Sequence, residues 1–208
     1  MDADAIGPGE LIDWAVASRA LPGETRSGDL HVVEPFADGV LVSVVDGLGH
    51  GDEAADAAEA AAGTLIDHAD EAPVSLVRRC HERLVGTRGV AMSVASFTRR
   101  DQSIQWIGVG NVEASLFRCR PANAPARESL ILRGGVVGYR LPPLRSSVVA
   151  VRRDDLLVLA TDGIKNYSFD ALRATAAPTR IAQDTLDRFA RDTDDALVLV
   201  ARYLGEPS

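Results

Sequence analysis

The sequence predicts an α+β fold, an αββα sandwich in which two mostly antiparallel β-sheets pack face to face with helices outside. Three observations carry that expectation. Apolar, β-branched runs recur along most of the chain. Those between Gly89 and Arg120 follow one another across tight turns, so consecutive strands must pair as hairpins. The helical patterns come in groups between groups of strands instead of alternating with single strands, which argues against a doubly wound parallel sheet.

The elements follow in order. "WAVASRA" (14–20) precedes a Pro-Gly turn and reads as a first strand, with "DLHVVEPF" as a second. "GVLVSVVD" (39–46) is apolar on both faces, as a buried central strand should be, and it ends on Asp46. From Asp52 to His68 the residues Ala54, Ala55, Ala58, Ala61, Ala62, Leu65 and Ile66 recur at three- and four-residue steps and predict a helix with Asp52 as its cap. A second helix is expected from Pro73 to Val85, the proline being tolerated in the first turn. Three strands, "GVAMSVASFTR", "SIQWIGVGN" and "VEASLFRCR", make a meander. "PANAPARES" (121–129) reads as a proline-rich loop, and "ESLILRGG" as a candidate strand. "SSVVAVRRDD" and "LLVLATDG" are strand-like, "RIAQDTLDRFAR" has helical spacing, and "DDALVLVARYL" closes the chain as a strand.

A length of 208 residues suits a single domain, expected to span 1–208. The formal charge of −8 argues against nucleic acid as a partner, because phosphate-backbone binding needs clustered Lys and Arg. No run of 18 apolar residues occurs and the start, "MDADAIGPGE", lacks the regions of a signal peptide, so no membrane partner and a cytoplasmic location are expected. A monomer is the default. Cys80 and Cys119 have no CxxC partner and read as packing thiols. The four histidines show no metal-ligand spacing, so any metal site must be oxygen-based, which favours magnesium or manganese over zinc. Arg78, Arg79, Arg83 and Arg88 read as a solvated helix face or as a docking patch.

Four places share one pattern: Asp29 in "SGDL", Asp46 in "VVDGLGHG", Asp162 in "LATDGI", and Asp194 with Asp195 in "DTDDALVLV". Each carboxylate stands at the edge of an apolar strand. One Asp-Gly after a strand is ordinarily a turn. Several such aspartates converging in one cleft would repel one another unless a cation neutralised them. Two divalent ions bridged by one aspartate would activate water for attack on phosphorus, and hydrolysis of a phosphate ester is the reaction that follows.

The segments "SGD" (27–29), "VVDGLGHG" (44–51), "RGVAMSVASF" (88–97), "VGNVEASLFR" (109–118), "LATDGI" (159–164) and "DDALVLV" (194–200) resemble those of the metal-dependent serine/threonine phosphatases of the PP2C class. The match is to the SpoIIE-like bacterial subgroup, and "DGLGHG" and "VGNVEA" look most like the stressosome phosphatases of the RsbX type. The resemblance implies two divalent ions, Mn²⁺ or Mg²⁺, at one edge of the sandwich. It implies that Asp46 bridges both, that the Gly47 carbonyl binds the second, that Asp162 and Asp194 bind the first, and that Asp29 binds directly or through water. Asp195 would stand beside this set, and Asp46 and Asp162 would be catalytic.

This chain departs from the wider class at three points. A His that many members carry two residues after the bridging aspartate is Leu48 here, leaving His50 as candidate proton donor or plain surface residue. The arginine that those members place near the substrate phosphate has no clear match, Arg19 and Arg26 being nearby candidates. Leu197 replaces a hydroxyl residue. The interval from Ser103 to Arg153 reads as strands and short loops with no inserted flap. The expected activity is hydrolysis of phosphoserine and phosphothreonine on STAS-domain regulators of a stressosome or partner-switching pathway. The alternative is a catalytically weak binding module that sequesters a phosphoprotein or anti-sigma factor.

Overall fold

The computed structural model describes residues 11–120, 125–165, 167 and 176–205. One five-stranded sheet runs, across its width, β1 (Ile12–Arg19), β10 (Ala196–Tyr203), β9 (Leu156–Ala160), β6 (Glu113–Phe117) and β7 (Arg127–Ser129). The other runs β2 (Asp29–Phe36), β3 (Gly39–Gly47), β4 (Val90–Thr98), β5 (Ser103–Val109) and β8 (Ser147–Ala150). Every ladder in both sheets is antiparallel. The helices are α1 (Asp52–Asp67), α2 (Pro73–Arg83) and α3 (Pro178–Phe189).

Side-chain alternation along the strands sorts the core into three layers. On β3, Val40, Val42 and Val44 point between the sheets, where they meet Leu157 and Leu159 of β9 and Leu197 and Leu199 of β10. Leu41 and Val45 point the other way, onto the small face of α1 at Ala57, Ala58, Ala61 and Leu65 and onto Leu76 and Cys80 of α2. On β10, Ala196, Val198 and Val200 pack against Ile181, Ala182 and Leu186 of α3. β3 is apolar on both faces because both are covered, which is what its sequence required. Each buried Val or Leu contributes about 1.5–3 kcal/mol, so slipping β3 by one residue would exchange its two faces and misplace all of them.

The predicted sandwich is therefore present, and element ends differ from expectation by a few residues. Some local expectations do not hold. Gly51, not Asp52, is the cap of α1, and no side chain bonds to the free amides there; Asp52 and Glu53 occupy the first turn instead. The end of the predicted proline-rich loop is β7, paired to β6 from Ser115↔Ser129 to Phe117↔Arg127; residues 121–124 lie outside the described part. The segment after it forms no strand: it folds back along β4 and β5 through isolated bridges, Val109↔Arg133 and Val90↔Val137. Cys80 is fully buried, whereas Cys119 is only half-buried. Among the described residues, no helix is long and apolar enough to cross a membrane.

Candidate active site

The alternation that builds the core also delivers the acids. Asp46 continues the row of Val40, Val42 and Val44, so it faces the opposite sheet at the point where β3 ends. The β2–β3 register places Asp29 directly across from Asp46. Directly opposed residues of an antiparallel pair have Cβ atoms about 5 Å apart, and like charges there are destabilising. Asp29 is only 4% exposed.

From the other sheet, Thr161 donates from Oγ1 to Asp29 Oδ2 at 2.7 Å and accepts from Leu197 N at 2.9 Å. One hydroxyl thus ties the two sheets together at the acid cluster. Asp162 follows, in a turn whose Gly163 lies so close to β10 that an added Cβ would be 1.9 Å from the Asp195 carbonyl oxygen. This close approach, which only glycine permits, draws the Asp162 turn against the Asp194–Asp195 segment. Asp162 Oδ2 accepts from Asn111 Nδ2 at 2.7 Å. Asp194 Oδ1 accepts from the Asp195 amide at 3.0 Å.

The electrostatics register the convergence. Burial first, then the charge of Asp46, pushes Asp29 up to about 8 against the relief of the Thr161 hydrogen bond. Burial first, then Asp162, Asp194 and Asp195, pushes Asp46 up to about 7. Asp194 is also raised, by partial burial and by Asp162. Carboxylates on four separate segments of chain therefore share one field.

The donors are all oxygen, a set that fits a hard divalent cation. Among the described residues, no three His, Cys, Asp or Glu side chains close on one point tightly enough to hold an ion by themselves. Backbone carbonyl and water would have to complete any coordination sphere. Gly47 lies against the segment that leads to Asp29: its N–H donates to the Gly28 carbonyl at 2.9 Å, and an added Cβ on Gly28 would lie 3.3 Å from Gly47 O.

The remaining predicted residues are placed as follows. His50 stands at the rim, 61% exposed, with Nδ1 2.7 Å from Glu24 Oε1. When protonated, it lies close enough to Asp194 to offset part of that group's rise. Arg26 is engaged by three carboxylates of α1, those of Asp52, Asp56 and Glu59. Arg19 pairs with Asp192 at 2.9 Å. Leu197 is buried between the sheets. Asp195 has a job the sequence did not disclose: its two oxygens accept from the Leu21 and Gly28 amides, both at 2.7 Å, and pin the segment leading to Asp29. Thr161 and Asn111 were missed altogether. The available signal was position alone, a hydroxyl just before Asp162 and an amide in the turn after β5.

Residues 37–204 match the profile of the stage II sporulation protein E family, SpoIIE. The chain belongs to the SpoIIE family. Against the phosphoserine phosphatase RsbX of Bacillus subtilis (strain 168), this SpoIIE-family chain is 22% identical over 144 residues, 68% of it and 69% of RsbX. The crystal structure of RsbX in complex with magnesium superposes with a TM-score of 0.81 at 17% identity, covering 96% of this chain and 98% of that one. A chain from a structure of the bacterial stressosome, described as a modular system adapted to control secondary messenger signalling, superposes with a TM-score of 0.85 at 28% identity over 93% of this chain and 100% of that one. Among the described residues, the two sheets and three helices are the PP2C fold, and the homologues and structural neighbours include PP2C and serine/threonine phosphatases.

Proposed function

We propose that this SpoIIE-family phosphatase hydrolyses phosphoserine and phosphothreonine on STAS-domain regulators of a stressosome or partner-switching pathway. It acts as a cytoplasmic, monomeric, single-domain enzyme that resets the signal. The observation that carries the reading is the meeting of Asp29, Asp46, Asp162 and Asp194 at one end of the sandwich, where burial and the neighbouring charges raise Asp29, Asp46 and Asp194. Relatives named for the stressosome and for phosphoserine hydrolysis support the choice of substrate.

Asp46, Asp162, Asp194, the Gly47 carbonyl and Asp29 would hold two divalent ions, Mn²⁺ or Mg²⁺. When bound, such ions lower the pKa of an attacking water and neutralise the phosphoryl oxygens. The chain's own contribution is to keep the acids in place. Thr161 orients Asp29, Asn111 orients Asp162, and Asp195 fixes the approach to Asp29. In the overall reaction the water oxygen bonds to phosphorus, the bond from phosphorus to the seryl oxygen breaks, and that oxygen leaves with a proton. His50, exposed at the rim, is the candidate to supply that proton.

The reading is tested by incubating the protein and manganese with phosphorylated STAS proteins encoded near its gene, following intact mass. Loss of one phosphate from a STAS protein is expected. A stable complex with the phosphate retained at saturating manganese would instead mark a binding module.

A further inference from the structure

The geometry points to Arg88 as the residue that grips the substrate's phosphoryl group. The inference rests on the phosphatase reading above and supplies a cation that reading lacks. A phosphomonoester carries close to two negative charges, and a guanidinium fork matches its oxygens better than a point charge does. Each of the two arginines suggested by sequence already has more than one partner. Arg26 is spread over three carboxylates of α1, and Arg19 bonds to both Asp192 and the Arg191 carbonyl.

Arg88 differs in position and in attachment. Val90 pairs with Gly47, and Leu48 N donates to the Gly89 carbonyl at 3.1 Å, so Arg88 leaves the sheet beside the glycine-rich turn that follows Asp46. Its backbone is fixed on both sides. Thr87 Oγ1 donates to Leu84 O at 2.8 Å and accepts from Gly89 N at 3.0 Å, while Val90 and Val137 exchange two hydrogen bonds of 2.9 Å.

The side chain reaches over the turn. Gly49 has φ +91°, and a Cβ added there would lie 2.6 Å from Arg88 Nη1, so glycine is needed for the guanidinium to lie against that backbone. Among the described residues its hold is a single contact, Nε to Glu53 Oε2 at 2.5 Å, with the two side chains 48% and 72% exposed. A pair so exposed contributes little and is easily exchanged for a better anion. Among the described residues, the two terminal nitrogens of Arg88 make no hydrogen bond. Arg88 is thus a fork on a rigid mount beside the glycine-rich turn that follows Asp46, with its outer nitrogens available.

The test uses the full chain as Arg88→Ala, Arg88→Lys and, for loss of a surface arginine elsewhere, Arg78→Ala. Two readouts are taken: KM and kcat for para-nitrophenyl phosphate with manganese, and calorimetric binding of inorganic phosphate with magnesium present. Arg88→Ala should weaken phosphate binding and raise KM by about ten-fold or more, the scale of lost charge-assisted hydrogen bonds, with a smaller change in kcat. Arg88→Lys should recover part of the loss, Arg78→Ala should change nothing, and the rise in melting temperature on adding magnesium without phosphate should be the same in all. Phosphate binding and KM within two-fold of the parent in Arg88→Ala, or an equal loss in Arg78→Ala, overturns the assignment. Absence of hydrolysis by the parent refutes the phosphatase reading alone, since phosphate binding still reports on Arg88.

Discussion

Asp46 weakens the metal-free fold. It is held opposite Asp29, between two sheets, within the field of Asp162, Asp194 and Asp195. Removing its charge should therefore stabilise the bare protein while destroying the site. For Asp46→Asn we predict a melting temperature in chelator roughly 2–4 °C above the parent, corresponding to about 1 kcal/mol for a chain of this size, and no further rise with magnesium. Differential scanning calorimetry with and without the ion measures both. How legible the site was depended on the kind of residue. The aspartates were readable because each stands at the edge of an apolar run, and a carboxylate in that place is chemically conspicuous. Thr161, Asn111 and Asp195 act through hydrogen bonds across sheets or between loops, to partners distant in sequence. Such pairings exist only once the sandwich has closed, and no local pattern announces them.

At the level of elements, β3 and α1 meet at a point with no spare room. A Cβ on Gly47 would be 2.1 Å from the Ala54 carbonyl oxygen, part of the backbone of α1. Gly47→Ala must push the helix away, and overpacking of this kind costs about 1–3 kcal/mol. We expect the melting temperature to fall by roughly 3–10 °C and metal-dependent hydrolysis to fall with it, because the shift moves the carbonyl beside Asp46. The same elements show why some of the fold could be read in advance. β3 announced itself through apolar residues on both faces, and α1 through alanines at helical spacing. The segment following β7 did not, because its bridges to β4 and β5 depend on a sheet that is already formed. The cap of α1 was misplaced by one residue, since Asp52 suited the position by type while the turn's geometry placed Gly51 there.

Across the whole molecule, the acid cluster couples folding to pH. Asp29 and Asp46 are raised from 3.8 to about 8 and about 7, so between roughly pH 4 and 8 the folded chain holds protons that the unfolded chain has released. Their contribution to stability is complete below pH 4 and is lost as pH rises through 7 to 8. In chelator the melting temperature should therefore fall from pH 6 to 8.5, and saturating magnesium should restore most at the alkaline end, as the ion takes over from the protons. A metal-free melting temperature that rises across this range would contradict it.

Four aspartates on separate segments of chain are proposed to form a divalent-metal site that hydrolyses phosphate esters. It is tested most directly by measuring para-nitrophenyl phosphate hydrolysis while manganese is titrated into the chelator-treated protein, with Asp46→Asn in parallel. Hydrolysis by the parent should rise from zero to saturation with manganese, vanish on renewed chelation, and be lost in Asp46→Asn. Hydrolysis indifferent to chelation, or retained at the parent's rate in Asp46→Asn, would contradict the account.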